Sequence, residues 1–179
     1  MKVLLHTCCG PCACACVPRL LASGHEVAMF FSNSNIDTAD EFARRLDSAG
    51  RVAAADGVPL VADAYDHDAW LAEVARGYES EPEKGARCER CFRFSLARAA
   101  RYAAENGFDA VASSLTVSPH KVSAMVFAAG DAAAGGTSAA FLHEDFKKRE
   151  GFKLSVRRAT ELGLYRQGYC GCEFSRKAE

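Results

Sequence analysis

An apolar strand, Lys2-Val3-Leu4-Leu5-His6, runs into the loop Cys8-Cys9-Gly10-Pro11-Cys12, and a helical run over residues 13–22 follows. A strand-to-helix corner of this kind points to an α/β arrangement, in which the carboxyl end of the strand opens on a crevice. Phosphate-binding proteins fill such a corner with glycines, whose bare backbone lets N–H groups approach an anion. Here thiols take the corner. Two adjacent cysteines cannot close an unstrained disulfide with each other. Their sulfurs can instead converge on a soft centre such as iron, zinc or sulfide.

The rest of the chain keeps the alternation. Glu26–Phe31 is a continuous apolar run, as a buried parallel strand requires, and ends in the polar turn Ser32-Asn33-Ser34-Asn35. Residues 37–56 carry Phe42, Leu46, Ala49, Val52 and Ala53 at helical spacing. A third strand is predicted over 59–63, and a helix capped by Asp66 over 64–78. The charged segment 79–87, with Pro82 and Gly85, reads as a loop before a long helix over 88–106 closed by Gly107. A fourth strand over 109–114, a mostly helical segment over 119–134, a short fifth strand over 138–142 and a last helix over 154–162 complete the pattern. The expectation is a mainly parallel, doubly wound α/β sheet with helices on both faces, in one domain over 1–179 ending in a cysteine-bearing tail. Loops after the first, second and fourth strands then share one edge.

Charge excludes little. Twenty-two Lys and Arg balance 23 Asp and Glu, so bulk charge names no partner. No apolar stretch is long enough to span a bilayer, and the N-terminus lacks the apolar segment of a secretion signal, which predicts a cytoplasmic protein with no membrane partner. Nine cysteines is a high and odd count, arguing for metal or redox chemistry rather than a disulfide framework.

The thiols fall into three groups. Cys88-x-x-Cys91 at a helix start favours thiolates that share a metal, the alternative being two packed core cysteines. Together with Cys8 and Cys9 it supplies four thiolates, suited to a [4Fe–4S] cluster or a structural zinc. The vicinal pair favours iron–sulfur, because a cube offers separate iron corners to neighbouring thiols. Cys9-Gly10-Pro11-Cys12 also spells a thioredoxin-type tetrad, but a dithiol exchanger leaves Cys8, Cys88 and Cys91 without a role. Cys12 is a candidate extra ligand or redox thiol, whereas Cys14 and Cys16 read as small buried hydrophobes. Cys170-Gly171-Cys172 permits only a tight, strained disulfide, and such bonds tend to be labile or catalytic. A two-electron store beside the metal is the functional reading, an incidental or metal-binding tail pair the alternative.

These residues, taken in order, resemble the epoxyqueuosine reductase QueH family over almost the whole chain. The resemblance rests on His6-Thr7-Cys8-Cys9-Gly10-Pro11-Cys12, Phe31-Ser32-Asn33-Ser34-Asn35-Ile36 and Glu81-Pro82-Glu83-Lys84-Gly85-Ala86-Arg87-Cys88-Glu89-Arg90-Cys91-Phe92. It continues through Ser113-Ser114-Leu115, Ser118-Pro119-His120-Lys121, Asp145-Phe146-Lys147-Lys148 and Leu164-Tyr165-Arg166-Gln167-Gly168-Tyr169-Cys170-Gly171-Cys172. Ser34 stands where proline is commoner in that family, and Cys14 and Cys16 are extra thiols.

The resemblance implies a fold related to adenine-nucleotide hydrolase-like (HUP, PP-loop-type) domains, with cysteines in place of the phosphate loop. It implies a [4Fe–4S] cluster on Cys8, Cys9, Cys88 and Cys91, with room for an additional adjacent iron ion, and a redox-active pair at Cys170 and Cys172. The reaction implied is two-electron deoxygenation of epoxyqueuosine to queuosine at the tRNA wobble position, served by an electron donor that the residues do not identify. Lys147, Lys148, Arg149, Lys153, Arg157, Arg158 and Arg166, interleaved with Phe146, Phe152, Tyr165 and Tyr169, are the candidate RNA-contacting group. Arg87, Arg90 and Arg93 flank the other thiol pair, and Asp145, Tyr165, Tyr169 and His6 are candidate proton donors. A disulfide exchanger working through Cys9 and Cys12, or a zinc-binding RNA module, are the competing functions.

Overall fold

The computed structural model describes residues 1–176. Five strands form one all-parallel sheet: β1 Lys2–His6, β2 Glu26–Phe31, β3 Leu60–Ala62, β4 Ala110–Ser113 and β5 Ala140–Phe141, in the order β3-β2-β1-β4-β5. Its long helices are α1 Gly10–Ala22, α2 Ala39–Asp56, α4 Ala86–Glu105, α5 Ser123–Ala134 and α6 Gly151–Glu161, with a short α3, His67–Trp70, between β3 and α4. The predicted doubly wound α/β sheet is what forms, and the strand order is compatible with a HUP-type relationship.

Strand periodicity decides the two cores. Successive side chains alternate across the pleat, so Val3 and Leu5 face one side and Leu4 the other. Val3, Leu5, Val27, Met29, Phe31, Ala110 and Ala112 pack with Val17, Leu20, Ala49, Val52 and Ala159, which come from α1, α2 and α6. Leu4, Phe30 and Val111 pack with Ala99 and Ala103 of α4, and Phe92 and Leu96 extend that side to Val126 of α5. Each fully buried Leu, Val or Phe contributes about 1.5–3 kcal/mol.

Several boundaries differ from expectation, α6 among them, which starts at Gly151 rather than residue 154. Helix α1 begins at Gly10 rather than residue 13, because Cys9 caps it: its side chain accepts from the Cys12 N–H. The segment predicted as one helix over 64–78 is capped by Asp66, as expected, but winds only through α3 before loosening into a π-helical turn, Leu71–Ala75. Residues 119–122 are not helical; a 3-10 turn, Ser114–Val117, precedes them, and α5 starts at Ser123.

Packing requires a glycine at position 10. A Cβ at Gly10 would lie 2.5 Å from the Ser48 carbonyl oxygen of α2, a backbone atom that cannot swing aside. The start of α1 is therefore pressed against α2, which holds the thiol loop at the sheet's carboxyl edge.

Candidate metal centre

Consecutive strands switch direction across the sheet between β1 and β4, and open α/β sheets bind ligands at such a point. The loops after these two strands carry Cys8 and Ser114. The Ser114 hydroxyl accepts from the Cys8 N–H at 3.0 Å and donates to the Cys8 sulfur at 3.3 Å, tying the two loops together. Cys8, Cys9, Cys12, Cys88, Cys91 and Cys170 all line one cavity of about 480 Å³. Thiols from both ends of the first hundred residues, and from the tail, thus line the same cavity.

The tightest group is Cys8, Cys9 and Cys12, whose sulfurs all lie within 4.8 Å of one another. Hydrogen bonds from the Cys12 and Cys8 thiols pull Cys9 well below the usual thiol range, against burial. Its place at a helix N-terminus favours the same charge. The Cys12 bond pulls Cys8 down, but its bond to Cys9 and its burial outweigh this and push it up. Cys12 is pushed up by its bonds to Cys8 and Cys9. One thiolate shared by three sulfurs is a soft donor set that releases protons when metal binds.

Across the cavity, Cys88 sits in the first turn of α4 and accepts from the Lys84 N–H at 3.3 Å. Lys84 adopts a left-handed backbone, φ 69°, which non-glycine residues seldom take. Burial pushes the Cys91 thiol up, and the Trp70 indole counters this. That indole N–H is buried with no partner in hydrogen-bond geometry, yet lies close enough to Cys91 to act on its sulfur.

A thiolate-bound cluster needs donors around its sulfurs. Cys8 accepts from a hydroxyl and Cys9 and Cys88 from backbone N–H groups, while Cys91 has an orphaned indole N–H nearby. Donors aimed at ligand sulfurs are the usual outer shell of an iron–sulfur site. The residues present fit such a group.

The tail enters the same cavity because a buried arginine holds it. Arg45, 2% exposed, pairs through Nε with Glu41 at 2.6 Å, and its remaining nitrogens donate to the Cys170 and Tyr169 carbonyls at 2.8 and 3.3 Å. Its guanidinium also stacks 5.0 Å from the Tyr169 ring. Gly171 takes φ +138°, and a Cβ there would meet Asn35 at 2.9 Å. Cys172 is buried against Trp70, Val74 and Ala75, with Cys91 and Phe174 adjoining. Both Cys170 and Cys172 are free thiols. The Lys121 ammonium lies 2.8 Å from the Cys170 sulfur.

The charged residues divide into those with protein partners and those open to solvent. Arg158 forks onto Asp56 and the Cys14 carbonyl, so it braces α6 against α1 and α2. Tyr165 donates to Glu41, and Arg157 reaches Glu161 on its own helix. Lys147 turns inward to the Lys121 carbonyl at 2.6 Å. Arg87 is buried and donates to the carbonyls of Tyr78, Glu79 and Glu81; Arg90 holds the carbonyls of Glu73 and Val74, and Arg93 pairs with Glu89. Arg166 and Phe152 line the cavity mouth, and Lys148, Arg149 and Lys153 are exposed.

Among the proton-donor candidates, Asp145 and Tyr165 are not cavity residues. Tyr169 donates to Asp37, and burial with that bond raises its pKa to about 12. His6 lines the cavity between Ser113 and the Ser32 carbonyl, and burial lowers its pKa to about 4. Cys14, pushed to about 11 by burial, and Cys16 are core residues, as expected. Arg45, Lys121, Trp70 and Gln167 were not singled out as site residues; Ser118-Pro119-His120-Lys121 and Leu164-Tyr165-Arg166-Gln167 carried the signal for two of them.

Comparison with known proteins agrees with this geometry. The family model described as "Epoxyqueuosine reductase QueH" matches residues 3–178. A relative of that name from Streptococcus pyogenes serotype M1 is 36% identical over 184 residues, covering 99% of this chain and 71% of its own. Another from Acinetobacter baylyi is 37% identical over 175 residues, covering 97% of this chain and 80% of its own. A third, from Thermotoga maritima, is 31% identical over 176 residues, covering 97% and 89%. No described helix is long and apolar enough to cross a membrane. The match runs from the first strand past the terminal cysteine pair and takes in every thiol of the cavity, so the chain belongs to the epoxyqueuosine reductase QueH family.

Proposed function

We propose that this chain reduces epoxyqueuosine to queuosine at the wobble position of tRNA. The observation that carries the reading is the convergence of six cysteines on one cavity at the switch point of the sheet. Cys8, Cys9, Cys88 and Cys91 would hold a [4Fe–4S] cluster, and Cys12, beside Cys8 and Cys9, is the candidate ligand for an adjacent iron. When bound, the metal centre supplies electron transfer and Lewis acidity toward the epoxide oxygen.

The protein's own residues do the rest. The cavity wall excludes water through Phe92, Leu115 and Met125, while Asn33, Asn35 and Gln167 offer hydrogen bonds to a polar nucleoside. Arg166, which lines the cavity, and the exposed Lys148, Arg149 and Lys153 would meet the phosphates of an anticodon loop that inserts an extruded base. Arg45 and the Gly171 turn keep Cys170 in the cavity, so the Cys170–Cys172 pair can store two electrons within reach of the substrate. An external electron donor reduces the pair again after turnover.

Anaerobically purified protein should be brown, contain iron and sulfide, and convert a stem-loop carrying epoxyqueuosine to the queuosine form, read by nucleoside mass spectrometry. Cys170→Ser and Cys172→Ser should keep the colour and lose turnover; full activity of either would remove the pair from the reaction. A colourless protein holding only zinc would instead favour the reading in which the close triad Cys8, Cys9 and Cys12 binds a single ion.

A further inference from the structure

We propose that Lys121 is the proton partner of the Cys170–Cys172 pair: its ammonium holds Cys170 as a thiolate and delivers one of the two protons that epoxide reduction consumes. This rests on the reading above, that the chain deoxygenates epoxyqueuosine with this pair.

Placement is the first observation. Lys121 Nζ lies 2.8 Å from the Cys170 sulfur and 5.6 Å from the centre of the Phe92 ring, inside the thiol-lined cavity. Among the described residues no carboxylate pairs with it, so sulfur is the acceptor its charge meets. The second observation is support from behind. Lys147 donates to the Lys121 carbonyl at 2.6 Å, and the Lys121 N–H donates to the Ser118 carbonyl, so the backbone that aims the side chain is held. Burial works against a charge here, yet the adjoining Cys170 sulfur outweighs it and favours the ammonium form of Lys121. Nothing in the surface role of a lysine requires an ammonium to be turned inward onto a thiol.

The atoms balance only with such a group. Deoxygenating an epoxide breaks two C–O bonds and consumes two electrons and two protons, giving an alkene and water. A pair held as one thiolate, Cys170, and one thiol, Cys172, gives up two electrons on closing its S–S bond but releases a single proton. The Lys121 ammonium supplies the missing proton and is left as a neutral amine. Charge is conserved: thiolate and ammonium disappear together as disulfide and amine form. A dithiol reductant then returns two electrons and, with solvent protons, restores thiolate, thiol and ammonium.

Two variants test this on the anaerobic, iron-loaded protein. Lys121→Met removes charge and proton; Lys121→Arg keeps the charge but does not give up a proton near neutral pH. Both should lower kcat about 100-fold with KM for the stem-loop unchanged, the loss typical of a missing general acid. Alkylation of Cys170 by iodoacetamide at pH 7, read on its peptide, should slow about tenfold in Lys121→Met and stay near wild type in Lys121→Arg. Wild-type kcat in Lys121→Arg, or wild-type alkylation in Lys121→Met, overturns the proposal. If the wild-type protein fails to convert the stem-loop, the reductase reading falls instead; the alkylation arm still reports on the ammonium–thiolate contact.

Discussion

Arg45→Met is the perturbation that most directly tests how the tail is held. The wild-type guanidinium is buried, pairs with Glu41 at 2.6 Å and binds two tail carbonyls, those of Cys170 and Tyr169. Methionine fills much of the same volume but leaves the Glu41 carboxylate, 8% exposed, with Tyr165 as its remaining side-chain partner. Removing one member of a buried pair costs about 3–5 kcal/mol, because the other is left charged in low dielectric. For a chain of this size that corresponds to a melting point lower by roughly 6–20 °C. Thermal and urea unfolding of the anaerobic protein measure the loss. Limited proteolysis reads the second consequence, faster cleavage in the segment after α6. Adding Glu41→Gln to the variant should recover about half of the lost stability, because the orphaned charge is gone. A loss under about 1 kcal/mol, or an unchanged cleavage rate in the tail, would refute the idea that this buried arginine fastens Cys170 to the cavity.

Three further outcomes follow from the same structure. Trp70→Phe removes the indole N–H near Cys91; with Cys91 holding the proposed cluster, a donor on its sulfur would favour the more negative, reduced state, so the one-electron potential should fall by about 20–60 mV in voltammetry. Gly10→Ala drives a Cβ into the Ser48 backbone and should cost about 1–3 kcal/mol in urea unfolding, with lower iron content because the thiol loop is displaced. Asp63 is raised by burial but lowered further by the Arg98 guanidinium and the Ser32 hydroxyl, so its folded pKa lies below the unfolded value. Its contribution to stability is therefore complete above pH 3.8 and is lost as pH falls through the folded value; Asp63→Asn should flatten that part of the acid-unfolding curve.

Local pattern carried the fold. Apolar runs at Lys2–His6 and Glu26–Phe31 are long enough to be strands wherever they pack, and helical spacing in α2 and α4 survives any tertiary context. The segment after β3 was harder, since Trp70 and Val74 are helical in spacing, but the chain loosens there to bring Trp70 under Cys172 and beside Cys91. Cysteine spacing made the thiol groups legible, because donor softness is a property of the residue itself.

The basic residues were not legible in the same way. Arg158 and Arg166 are alike as letters, but one is locked onto Asp56 and the other opens on the cavity. Side-chain charge is written in the sequence, while its partner is decided by which distant backbone folds alongside. The sequence by itself determined the order of strands and helices and the presence of soft donors after β1 and at the start of α4. Only the tertiary structure decided that Lys121 faces Cys170 across 49 residues and that Arg45 holds Cys170 across 125. Periodicity and donor softness act within a few residues of chain; an ion pair or a carbonyl clamp exists only once the sheet has brought its halves together.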